Sequence, residues 1–126
     1  MKHRPIAIGL VVCEQVIVDE KSRNVTPVNC FRSRRVKTLP AEIPFTVVAW
    51  LTNGMGHAKI EVVVERLDNM DEVARFRSDF EFSDPLQELR CVVQISDCIF
   101  PVAGQYQVSL LADSELMAHR KMVVQA

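Results

Sequence analysis

The sequence is poor in the residues that mark familiar chemistry. Three histidines occur in 126 residues, and no His-x-His or His-x-x-x-His spacing joins any two of them, which removes the common zinc and cupin-type ligand patterns. His3 is near the terminus, His57 falls in a loop, and His119 points away from the apolar positions of its segment. Each reads as a solvated imidazole, because a triad needs a nucleophile, a base and an orienting acid brought together. The four cysteines, Cys13, Cys30, Cys91 and Cys98, include no Cys-x-x-Cys pair, so neither a zinc knuckle nor a thioredoxin-like redox pair is indicated. Glu14, Glu72 and Glu115 make no recognisable carboxylate pair for glycoside hydrolysis. The expectation is a protein without catalytic residues, cofactor or metal site.

One-sided charge is missing as well. Fifteen basic and sixteen acidic residues leave a net charge of −1, so no global field recruits nucleic acid or an anionic membrane. No apolar run approaches the roughly 18 residues of a membrane helix. Lys2, His3 and Arg4 before an apolar run ending at Cys13 superficially look like a lipoprotein signal. Pro5 opens that run, however, and Val12 is bulky where processing wants a small residue, so a first β-strand is the better reading. The protein is expected in the cytoplasm with its thiols reduced. Four glycines and six prolines argue against low complexity, and residues 1–126 read as one domain that buries roughly two thirds of its unfolded surface.

What is present is a succession of apolar runs broken by turns. Ile6, Ile8, Leu10 and Val12 alternate with Ala7, Gly9 and Val11, apolar on both faces, as in a strand covered on two sides. Residues 16–18 resume it, 19–24 turn, and 25–31 return, with Pro27 favouring an edge or a bulge. If that hairpin is regular about Lys21-Ser22, Cys13 falls opposite Cys30. Arg32-Ser-Arg-Arg-Val-Lys37 is a basic cluster that reads either as a phosphate-binding stripe or as a solvated edge strand blunted by charge. No aromatic residue beyond Phe31 interleaves it, so bases have no stacking platform, and nucleic acid is not expected as a partner.

Residues 39–44 are a connector, since Pro40 and Pro44 forbid a regular ladder, and residues 45–51 are a strong strand. Gly54-x-Gly56 lacks the continuation and helix of a nucleotide loop and reads as a turn with glycines at positive φ. Ile60, Val62 and Val64 oppose Lys59, Glu61 and Glu65. Phe76, Phe80 and Phe82 oppose Arg75, Arg77, Asp79 and Glu81, and Leu89, Cys91, Val93 and Ile95 oppose Arg90, Gln94 and Ser96. Residues 83–88 read as a loop or one helical turn with Pro85 at its first position. The clearest hairpin comes last: Tyr106, Val108 and Leu110 share a face, Asp113-Ser114 turns, and Leu116, Ala118, Met122 and Val124 line the return strand. With turn signals about every ten residues, the pattern predicts an all-β fold, an antiparallel two-sheet β-sandwich of about eight or nine strands.

Two resemblances follow. Gly104-Gln-Tyr-Gln-Val108 is similar to the Gly-x-Tyr motif of immunoglobulin-like sandwiches, where the tyrosine hydroxyl bonds back to backbone in a tyrosine corner. The resemblance assigns that role to Tyr106, leaves Val108 where an antibody domain has its second cysteine, and offers Trp50 as the core tryptophan. Over nearly the whole chain, the sequence resembles a bacterial family of small uncharacterised proteins, a domain of unknown function. The carrying residues are Cys13-Glu14, Asn24-Val25, Val28-Asn-Cys-Phe31, the proline-containing approach to Phe45, and Phe100-Pro101-x-x-Gly104-x-Tyr106-x-Val108-x-Leu110. That resemblance implies no activity.

The functional expectation is therefore a non-catalytic protein-interaction or accessory module. Its two-faced strands offer pairing surfaces, and self-association through a sheet edge or face would use Val63, Val92, Leu111 and Val123. The alternative is a small-molecule- or calcium-binding sandwich using the loops around Asp68, Asp71 and Asp97, because hard cations want several carboxylate and carbonyl oxygens. Against it, aspartate is common in turns for backbone reasons alone.

Overall fold

A computed structural model describes residues 2–126, which form eleven strands and no helix. They are β1 (Ile6–Val18), β2 (Val25–Cys30), β3 (Ser33–Arg35), β4 (Ala41–Glu42), β5 (Phe45–Thr52), β6 (Gly56–Arg66), β7 (Glu72–Phe82), β8 (Leu89–Ile95), β9 (Ile99–Phe100), β10 (Gly104–Ala112) and β11 (Glu115–Gln125). Three sheets result, with orders β2-β1-β5-β8, β3-β11-β10-β6-β7 and β4-β9.

Period-two alternation decides which side chains enter the core. β5 contributes Phe45, Val47, Ala49 and Leu51, while β6 contributes Ala58, Ile60, Val62 and Val64. β10 adds Tyr106, Val108, Leu110 and Ala112, and all twelve belong to one hydrophobic cluster drawn from both large sheets. Fully burying one Val, Leu, Ile or Phe side chain stabilises by about 1.5–3 kcal/mol. A one-residue slip of any of these strands would therefore turn its whole row out of this cluster, which fixes the register. At the centre, Phe100 lies 6.3 Å from Phe45 and meets Tyr106 edge-on at 4.8 Å. The Tyr106 hydroxyl donates to Val102 O at 2.6 Å and accepts the Val102 N–H at 3.4 Å.

The closing hairpin forms as its sequence suggests. Asp113 (φ 48°) and Ser114 (φ 71°) are both left-handed, and Ala112 faces Glu115 across them, the twist-matched two-residue turn of hairpins. Asp113 is fixed from outside the turn, because its Oδ1 accepts the Lys59 N–H at 3.0 Å. One detail differs. A bulge pairs Leu110 with Ala118 but Leu111 with Leu116, so Met117 packs on the core and Leu116 is 56% exposed. An extra residue in one strand reverses the faces beyond it.

The expected antiparallel two-sheet arrangement of about eight or nine strands is corrected in number and in pairing. β3, β4 and β9 are too short to carry a period. β4 forms inside the connector because Pro40 and Pro44 flank, rather than occupy, the positions that pair with Phe100 and Ile99. β3 pairs parallel with β11, which makes the basic cluster an edge strand. Residues 83–88 are a loop, with Asp84 Oδ1 accepting the Leu86 N–H at 2.9 Å and Gln87 Oε1 accepting the Ser83 N–H at 3.0 Å. Trp50 is not a core residue: it alternates with the inward row of β5 and lies over Gly9, where a Cβ would come within 3.1 Å of its ring. Gly54 serves space and not dihedral freedom, since a Cβ there would stand 2.7 Å from the Phe82 ring. Gly56, at φ 82°, has the left-handed conformation expected.

Candidate functional site

β1 pairs with β2 only between Cys13 and Val18, so residues 6–12 leave an open side towards β11. Two tie points cross it. Arg120 Nε donates to Leu10 O at 2.8 Å, and the Phe31 N–H donates to Val12 O at 3.1 Å. Beside them opens a cleft of about 400 Å³ lined by apolar Val11, Val12 and Phe31, by the cations Arg32, Arg120 and Lys121, and by His119. No carboxylate lines it, although Cys30 and Gln107 do. A second depression shares Arg32 and Lys121 and continues past Ser33 and Val123. Arg32 and Lys121 enter no ion pair among the described residues. Such unpartnered cations beside an apolar surface suit a ligand that is both anionic and partly apolar.

The parallel pairing of β3 with β11 creates this site. Val123 faces Ser33 and Val124 faces Arg34, which brings Arg32, just before β3, against Lys121. Of the site's two basic runs, residues 32–37 stand out in the sequence, whereas His119-Arg120-Lys121 does not. The signal was present as three consecutive basic residues, yet nothing local shows that the two runs adjoin.

Cys13 stands opposite Cys30 in the β1–β2 ladder, as the hairpin arithmetic expected, and both thiols are free. Cys13 is fully buried and its thiol donates to Thr46 O at 3.6 Å. Burial pushes its pKa up, the neighbouring Cys30 adds to that, and a backbone bond from Val28 opposes both. Cys91 and Cys98, buried without a thiol neighbour in the ladder, are pushed up to about 11, Cys98 with a further contribution from Asp97.

Two of the three residues singled out for a cation site have other partners. Arg66 grips Asp68 through Nε at 3.0 Å and Nη2 at 2.6 Å, and this hydrogen bonding holds the Asp68 carboxyl below its ordinary range. Asp71 accepts from Asn69 Nδ2 at 3.0 Å within the same turn, and Asp97 lies in the loop between β8 and β9. Among the described residues, no three His, Cys, Asp or Glu side chains converge on a point that could hold a metal. His57 Nε2 is 3.0 Å from Asp79 Oδ1 at an exposed position, and His3 bridges to Met55 through backbone.

Of the four apolar residues proposed for self-association, only Val92 is exposed, at 39%. Leu111 and Val123 are half-buried. Val63 is corrected to buried, at 3%. It sits on central strand β6 between Ser109 and Arg75, and the Arg75 side chain folds across this face to Glu61 at 2.7 Å. Glu61 is itself buried there, its carboxyl held below the ordinary range first by that hydrogen bond and further by Lys59, against the effect of burial.

No curated protein matches the chain. The profile described as Family of unknown function (DUF6941) matches residues 9–125, a span that takes in the cleft, both thiols of the β1–β2 ladder and the aromatic centre. The chain belongs to that family of unknown function, DUF6941.

Proposed function

We propose that this chain is a non-catalytic binding module built as an immunoglobulin-like β-sandwich, and that its basic cleft takes an acidic, extended segment of a partner protein. The observation that carries the reading is the cleft itself, which gathers the cations Arg32, Arg120 and Lys121 with apolar Val11, Val12 and Phe31 and no carboxylate. Carboxylates complement guanidinium and ammonium groups through charge-assisted hydrogen bonds. An extended chain alternates its side chains, so it can set acidic residues on the cations and apolar ones on Val11, Val12 and Phe31. The second depression lengthens the groove, which favours a segment over a small ion.

The sandwich reading is supported by the core shared between the two large sheets. The immunoglobulin-like reading is supported by the Tyr106 hydroxyl bonding back to Val102, the geometry of a tyrosine corner. A non-catalytic role is supported by the setting of His119 and Cys30, which share the cleft with cations and no orienting acid. A cytoplasmic setting is supported by the use of Cys91 and Cys98 as small buried apolar side chains in the core.

The test is fluorescence anisotropy with a labelled peptide that alternates Glu with Leu, set against a Lys-for-Glu peptide of equal length. The acidic peptide is expected to bind, to lose affinity as salt is added, and to bind about tenfold more weakly when Arg32→Glu and Lys121→Glu are combined, roughly 1.4 kcal/mol. Equal affinity for the two peptides, or for the two proteins, would remove the cleft as the binding site.

A further inference from the structure

We propose that Cys13 and Cys30 are a redox pair, in which Cys30 is oxidised first and Cys13 then closes a disulfide across the β1–β2 ladder. The register makes the two residues direct partners. The Phe31 N–H donates to Val12 O, so the peptide carbonyl of residue 12 points at β2 and, by alternation, the backbone of Cys13 points towards β5. Cys13 and Cys30 therefore form a non-hydrogen-bonded pair, in which Cα atoms lie about 4.5 Å apart and side chains project on one face. A disulfide accommodates Cα separations of about 4.4–6.8 Å, a range that includes the spacing of such a pair.

Burial sets the order of events. Cys30 is exposed and opens onto the cleft, whereas Cys13 is shielded behind it with its thiol on Thr46 O. A small anionic disulfide such as oxidised glutathione is drawn to Cys30 by Arg32, Arg120 and Lys121. The Cys30 thiolate attacks one sulfur of the oxidant, breaking its S–S bond and releasing one glutathione thiol. The Cys13 thiolate then attacks the Cys30 sulfur, forming the Cys13–Cys30 bond and releasing the second glutathione. Two thiol protons and two electrons leave the pair, and one oxidant becomes two thiols. The inference rests on the ladder, apart from whether the cleft takes an acidic segment.

Folded, full-length protein is treated with oxidised glutathione, alkylated, digested with trypsin without reduction and weighed by mass spectrometry. Lys21 and Arg23 place cleavage sites between the cysteines, so the expected product is a linked peptide pair, two hydrogens lighter than its parts and carrying no glutathione. Cys30→Ser abolishes the link and leaves Cys13 unalkylated until denaturant is added. Cys13→Ala, its fold checked by circular dichroism, leaves glutathione on Cys30. A wild-type protein that keeps glutathione on Cys30, with Cys13 free, overturns the proposal. So does one in which Cys30 reacts no faster than buried Cys91 and Cys98.

Discussion

Replacing Tyr106 with Phe removes one oxygen at the edge of the aromatic centre and leaves the ring. The ring meets Phe100 at 4.8 Å and 89°, and phenylalanine keeps that contact. What disappears is the bond to Val102 O at 2.6 Å, together with acceptance of the Val102 N–H at 3.4 Å. A hydrogen bond contributes about 0.5–1.5 kcal/mol net, and a buried partner left unsatisfied costs about 1–3 kcal/mol. Val102 is 37% exposed, so water reaches its peptide group and the smaller range applies. The expected loss for Tyr106→Phe is about 1 kcal/mol, against about 3–5 kcal/mol for Tyr106→Ala, which also empties the centre. With a urea slope of about 2 kcal/mol per M, the Phe variant unfolds at a midpoint lower by about 0.5 M. Urea titration followed by circular dichroism measures both variants. If Phe proves as destabilising as Ala, the ring and not the hydroxyl is misplaced in this account. If Phe matches the wild type, the Tyr106–Val102 bond does not anchor the loop before β10.

Gly54→Ala is expected to cost about 1–3 kcal/mol through overpacking, because the new methyl would stand 2.7 Å from Phe82 Cγ. Adding Phe82→Leu should recover part of that loss in the same urea assay, and no recovery would show that the strain lies in the backbone. Stability should also form a plateau in pH. Hydrogen bonding to Arg75 lowers the Glu61 pKa, so that contribution is complete above the ordinary carboxylate range and lost as pH falls through the lowered value. Burial raises Cys91 and Cys98 to about 11, so theirs is complete below the ordinary thiol value of about 8.5 and lost as pH rises towards 11. Urea midpoints across the pH range should fall on both limbs, and a flat alkaline limb would contradict the buried thiols.

The legible part of the fold was the part set by neighbours along the chain. Alternation placed Ile60, Val62 and Val64 inside, and Asp113-Ser114 carried its turn in its own residue types. Symmetry about the Lys21-Ser22 turn sufficed to put Cys13 opposite Cys30, because a hairpin register depends only on counting from its loop. The misreadings came where pairing between strands, and not the period of one strand, decides. Leu116 faces out because of a bulge opposite Leu111, and Val63 is buried on a central strand flanked by β10 and β7.

The candidate cleft shows the same division. Arg32 stood in a basic cluster that read as an edge strand, whereas Lys121 was not singled out; the sequence by itself determined only that both charged side chains would stay near solvent. Only the tertiary structure decided that they share a groove. Their proximity comes from β3 pairing parallel to β11, a contact across some ninety residues of chain that no local period encodes. Side-chain alternation is a property of a single strand, but the choice of neighbouring strand is settled by burial of the whole core.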